Sequence, residues 1–162
     1  MPVPLTRDIV ESLAETLPAT QIETMRAAIK QRETNGNPPD ELFELHCRNL
    51  RKIHDAGMVI GLGTDGTGDG IGVHQQLAAY TRCGMTTMEA IVAGTGTNAR
   101  ILKLDRMGAV AVKKEADFNV LDANPLDDIA NTRRISTVYL RGREVDRKAL
   151  RAKFMAASRA KK

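Results

Sequence analysis

Asp65 closes the stretch Met58-Val59-Ile60-Gly61-Leu62-Gly63-Thr64-Asp65, and Gly66, Gly68, Gly70 and Gly72 follow it. Three consecutive apolar residues read as a buried strand, and the glycines after them end regular structure. A carboxylate at the carboxyl end of such a strand sits where α/β architectures gather their chemistry, and it can take up or release a proton there. Asp65-Gly66 also suits a plain turn, and local features leave both readings open. His74 lies just past the glycines, where it reads as a substrate-facing residue over the same mouth. His46 and His54 share a helix at a spacing that separates them by about 80°. An i, i+4 zinc pair would share one face, so these two read as surface or packing residues. Asp69 reads as a turn residue, and Asp117 and Asp122 as terminators of a strand at Phe118.

Gly61, Gly63 and Gly66 spell G-x-G-x-x-G after a strand. A dinucleotide site needs a helix to open within those glycines and face the pyrophosphate. Glycines running on to Gly72 forbid that helix, so the motif does not read as a nucleotide site. Cys47 and Cys83 form no C-x-x-C pair, and neither has a histidine at a partner spacing. They are expected to be packing residues with reduced thiols in a cytoplasmic protein, because no signal-like or membrane-length apolar stretch appears.

The elements that must position these residues begin with three helices. Thr6 caps a segment with Ile9, Val10, Leu13 and Leu17 on one face, stopped at Pro18. Thr20 and Glu23 suggest a capping box for a second, with Ile22, Met25 and Ile29 inward and an end at Asn35-Gly36. Pro38-Pro39-Asp40 opens a third that ends at Gly57, directly before the Met58 run. Beyond the glycines, residues 74–83 read as helix, and Thr86 with Glu89 as a second capping box. Gly94-Thr95-Gly96-Thr97 should break that helix before it resumes at Asn98–Leu104. Short β-branched runs at Ala109–Val112, Phe118–Leu121 and Ile135–Leu140 then predict a small sheet, with a hairpin through Arg141-Gly142.

The chain has 162 residues, enough for a substantial core but short of the roughly 200 that a complete eight-fold barrel needs. Its net charge of +4 is a property of the C-terminal stretch: without Arg147–Lys162, 17 basic residues face 20 acidic ones. With no Trp and only 3% aromatic residues, the body carries neither the basic footprint nor the stacking surface of a nucleic-acid binder.

Taken in order, these pieces resemble the end of the amidohydrolase superfamily barrel. They are Gly63-Thr64-Asp65, His74, Gly84-x-Thr86-x-x-Glu89-Ala90 and Thr95-x-Thr97-Asn98-Ala99, followed by Leu104-Asp105-Arg106-Met107-Gly108 and Ala116-Asp117-Phe118-x-Val120-Leu121-Asp122. Asn124-Pro125-Leu126-Asp127-Asp128-Ile129 and Val138-x-x-Arg141-Gly142-Arg143 complete the series. The resemblance runs over roughly residues 40–146 and is nearest the branch of cytosine deaminase and the chlorohydrolases. It implies an α/β fold: the C-terminal part of a (β/α)8 metal-dependent hydrolase barrel over residues 1–104, and a small β-sheet (β-sandwich) module over 105–146. A basic tail over 147–162 would follow.

It further implies that Asp65 ends the eighth strand, touches a divalent metal (zinc or iron) and handles the proton of its bound water, with His74 near the substrate. The paired histidines of the first strand and those of the fifth and sixth have no counterpart here, and a zinc site needs at least three protein ligands. The chain is therefore expected to be a truncated or split part of an enzyme that hydrolyses C–N bonds of small molecules, such as heterocyclic amines or cyclic amides. Alone it would be inactive, would hold no metal tightly, and would pair with a complementary barrel chain or with itself, not with nucleic acid or membrane. The alternative is a non-catalytic partner-binding module derived from the same fold.

Overall fold

The chain falls into two units, Met1–Gly94 and Thr95–Lys162. The computed structural model describes all residues except 1–4, 15–16, 37–39, 66–69 and 160–162, so Pro38, Pro39, Gly66, Gly68 and Asp69 lie outside the described residues.

The first unit is built from helices α1 (Arg7–Leu13), α2 (Ala19–Thr34), α3 (Glu41–Asp55), α4 (Ile71–Arg82) and α5 (Thr87–Val92). The predicted periodicity of the first two holds: Ile9, Val10 and Leu13 bury against Ile22 and Ile29, with Leu5, Leu17, Met25 and Ile71 packed around them. The expected Thr20–Glu23 box does not form. Helix α2 starts at Ala19 behind Pro18, whose fixed φ already suits a helix entry. Thr20 lies inside the first turn, where its carbonyl accepts from Thr24 Oγ1 at 2.9 Å. Asp40 caps α3 as expected, accepting the Phe43 N–H at 3.0 Å.

A second core joins α3 to α4 through Phe43, Cys47, Ala79 and Cys83, with Leu50 beside them. Here the expectation of reduced thiols is overturned, because Cys47 and Cys83 form a disulfide. Sequence spacing gave no hint of it. Packing of the two helices brings the Cα atoms to 4.6 Å, inside the bonding range. Such bonds persist mainly in oxidising surroundings. No helix among the described residues is long and apolar enough to cross a membrane.

Helix α3 ends in a paired C-terminal turn: Gly57, at φ 71, donates to the His54 carbonyl at 2.8 Å, and Met58 donates to Ile53 at 3.2 Å. This delivers the chain into residues 58–64. The predicted buried strand is absent there: the segment belongs to no strand, and Met58 and Val59 are 63% and 62% exposed. An apolar run becomes a strand only beside another strand that takes up its backbone hydrogen bonds. The first unit contains no strand among the described residues.

Where the chain passes from the first unit to the second, Gly94-Thr95-Gly96-Thr97 does not break the helix. A π-helical turn, Ala93–Thr97, carries α5 into α6 (Asn98–Ile101), an extra-residue bulge of the kind helices accommodate in single turns. The sheet has strands β1 (Phe118–Leu121), β2 (Ile135–Leu140) and β3 (Arg143–Glu144) in that order, all antiparallel. Phe118 faces Tyr139 across β1 and β2, and their rings stack at 4.7 Å. Arg141 and Gly142 both have positive φ, 51 and 74, the tight two-residue turn that suits the twist of a hairpin.

Asp117 Oδ1 accepts the Arg141 N–H at 2.5 Å and Ala116 accepts that of Gly142 at 3.0 Å, tying the turn to the entry of β1. Ala109–Val112 is not the strand expected, since positive φ at Gly108 and Lys113 turns the backbone at both ends and Val112 stays 90% exposed. Helix α7 (Arg147–Arg159) closes the described chain.

Candidate functional site

Asp65 is exposed and sits in a turn at φ 46, a left-handed conformation unusual outside glycine. Contacts with α4 and Gly94 are among those that hold the segment leading to it. The buried Tyr80 of α4 donates its hydroxyl to the Gly61 carbonyl at 2.7 Å. Leu62 lies against Gly94, with its Cδ1 3.4 Å from where a Cβ would stand on that glycine. Burial pushes the Tyr80 phenol above its usual range, so it remains a neutral donor at physiological pH. The backbone four residues before Asp65 is thus fixed from α4, and the carboxylate itself is left to solvent.

His74 lies in the first turn of α4, nine positions after Asp65 in sequence, and is half-buried. His46 lies on α3 with its Nδ1 buried and without a hydrogen-bond partner. Among the described residues, no three or more His, Cys, Asp or Glu side chains gather where a metal ion could be held. Neither Asp65, His74 nor the orphaned His46 nitrogen has the companions that a divalent metal requires, so the described residues do not by themselves fit that metal.

His54, expected in a packing or surface role, is a partly exposed residue that bridges two helices. Its Nδ1 lies 3.4 Å from Asp55 Oδ1 and its Nε2 3.3 Å from Glu89 Oε1. These carboxylates, Asp55 first and Glu89 second, raise its pKa above the ordinary histidine value. Glu89 also completes the predicted capping box of α5, accepting the Thr86 N–H at 2.7 Å while Thr86 Oγ1 accepts the Glu89 N–H at 3.2 Å. Thr86's backbone N–H, then its hydroxyl, and more weakly His54, hold the Glu89 carboxyl below its usual range. Sequence reasoning passed over Tyr80. Its one signal was a tyrosine on the apolar face of a helix, where a buried hydroxyl must find an acceptor.

Helices followed by a small antiparallel sheet, with an acidic turn carried between α3 and α4, define a mixed helix-and-strand chain with one exposed candidate carboxylate. The chain belongs to the amidohydrolase family, whose model matches residues 5–145. Among solved structures it is similar to molinate hydrolase, with 33% identity over 62% of this chain and 26% of that one, TM-score 0.55. A Xaa-Pro dipeptidase with methionine bound in its active site shares 26% identity over 61% of this chain and 25% of its own, TM-score 0.57. Phenylurea hydrolase B shares 41% identity over 49% of this chain and 18% of its own, TM-score 0.48. The chain thus spans between 18% and 26% of the length of these structures. No curated protein matches it.

Proposed function

We propose that this chain is the C-terminal portion of a metal-dependent amidohydrolase that breaks C–N bonds in small molecules, and that Asp65 is its catalytic carboxylate. The observation that carries this reading is the family match across residues 5–145, within which Asp65 is held exposed at the end of a segment anchored by Tyr80. In this role Asp65 accepts a proton from the attacking water and returns it to the departing nitrogen, which suits a solvated carboxylate. His74 borders the substrate. The divalent metal that the family generally uses, zinc or iron in this reading, would find its remaining ligands in polypeptide outside the described residues. The same polypeptide would supply strands beside residues 58–64, completing a (β/α)8 barrel with residues 105–146 as its small β module.

The similarity to a protein named as a Xaa-Pro dipeptidase supports amide C–N bonds over the deamination of heterocyclic amines. The exposed Met58 and Val59 favour a second reading, a non-catalytic module that binds a partner through this surface.

One experiment separates the two. The chain is combined with a barrel polypeptide carrying the histidine ligands, and hydrolysis of amide and cyclic-amide substrates is followed with zinc or iron present. The catalytic reading expects no turnover by the chain alone, turnover in the mixture, and a loss of at least about 100-fold with Asp65→Asn. Binding without turnover would favour the partner module. Turnover by the chain alone, with metal held by its own residues, would overturn the fragment reading.

A further inference from the structure

The Cys47–Cys83 bond spans 36 residues of sequence, and Asp65 lies inside the span. Both sulfurs are buried in the core shared by α3 and α4. Cys83 is the cap residue of α4, and the end of α4 is a paired turn in which Met85 donates to Tyr80 at 3.1 Å and Gly84 to Thr81 at 3.0 Å. Tyr80 itself holds Gly61. A continuous chain of contacts therefore runs from the disulfide, through one helical turn, to the backbone that leads into Asp65. Beside this bond, Phe43 and Leu50 of α3 pack with Ala79 of α4, Arg82 lies 4.5 Å over the Phe43 ring, and the Arg51 side chain lies against Gly84.

We propose that Cys47–Cys83 is a reversible thiol–disulfide site that tethers the Asp65-bearing segment, and that a dithiol reductant releases it. A thiolate of the reductant attacks one sulfur and forms a mixed disulfide, while the other cysteine leaves as a thiolate and takes a proton. The reductant's second thiolate then attacks the reductant's own sulfur in the mixed disulfide, and the second cysteine leaves as a thiolate and takes a proton. In all, two electrons and two protons pass to the protein, and the reductant becomes a disulfide. The buried sulfurs make this exchange wait on a local opening of α3 from α4, so small monothiols react slowly. The consequence is a loop whose order follows the redox state of its surroundings, whatever reaction Asp65 serves.

The test uses the full chain carrying Tyr139→Phe, which leaves Tyr80 as the only tyrosine. Dithiothreitol is the reductant, and the mass gain of two hydrogen atoms confirms reduction. Thermolysin cuts before large aliphatic residues, so cleavage within 58–62 reads the segment's opening. That rate should rise on the order of tenfold or more on reduction, since the bond closes a long loop. The phenol titration of Tyr80 should fall back towards that of free tyrosine at the same time. Cleavage within β1 and β2 should stay unchanged, and a Cys47→Ser, Cys83→Ser chain should behave like the reduced protein. Free thiols in protein purified without reductant would overturn the proposal. So would confirmed reduction with no change at 58–62, or a rise spread equally over the second unit, which would mark the bond as a general stabiliser only.

Discussion

His54 is a compact example of a side chain whose role depends on charge. Between Asp55 and Glu89 it links the last turn of α3 to the first turn of α5, and the positive imidazolium also suits the negative end of the α3 dipole. Because its folded pKa is raised, the stabilisation is fully present below the unfolded value of about 6.5. It fades as pH climbs through the higher folded value. Glu89 runs the other way: its lowered pKa keeps it ionised across that range, so loss of the histidine charge is what breaks the pair. His54→Gln should therefore lower the melting temperature at pH 5.5 and leave it nearly unchanged at pH 8.5. Equal losses at both pH values in parallel thermal melts would mean the contact is neutral packing. Among the described residues Asp65 shows no such ion pair, which is why its test is catalytic, by Asp65→Asn, and not a stability measurement.

At the scale of elements, the π-helical turn and the loop after α6 depend on one close approach. A Cβ on Gly108 would stand 2.5 Å from the Ala99 Cβ, 3.0 Å from the Thr95 carbonyl oxygen and 3.1 Å from the Gly96 Cα, at a φ of 82. Two of these neighbours are backbone, so nothing flexible can yield, and the left-handed conformation adds its own cost. Gly108→Ala should cost about 2–4 kcal/mol, read as a lower urea midpoint with an unchanged slope. A cost under about 0.5 kcal/mol would show that Gly108 can move away from α6 freely. The hairpin is better protected, since Asp117 and Ala116 both bind its turn and the Phe118–Tyr139 stack adds cross-strand contact.

At the scale of the whole molecule, residues 58–64 carry apolar side chains without a strand beside them. Met58 and Val59 are exposed, and so are Leu42, Leu45, Ile53 and Val73 of the first unit. Water-exposed apolar surface of this kind marks an interaction site or an aggregation liability. The chain alone should therefore self-associate, or bind a complementary barrel chain, at micromolar concentrations. Light scattering with a denaturant titration checks this. A monodisperse monomer with one steep unfolding transition would show that the two units suffice for a stable fold.

Much of the local structure was legible because it rests on local chemistry. The helix periods around Ile9, Ile22 and Phe43, the cap at Asp40, the Thr86–Glu89 box, the Gly57 exit and the Arg141-Gly142 hairpin each involve residues within a few positions of one another. The family, too, could be read from the order of short motifs. Asp65 was marked as a candidate by its glycines, and its place in an exposed turn, Tyr80's grip on Gly61 and the bridge from His54 to Glu89 came only with the fold. The Met58 run shows why: whether an apolar stretch becomes a strand depends on a neighbour elsewhere in the chain, and its own residues cannot specify that neighbour. Cys47 and Cys83 make the same point, since two cysteines 36 positions apart bond only when helix packing brings them together. Contacts between distant residues are set by the packing of whole elements, and only the tertiary structure decides them.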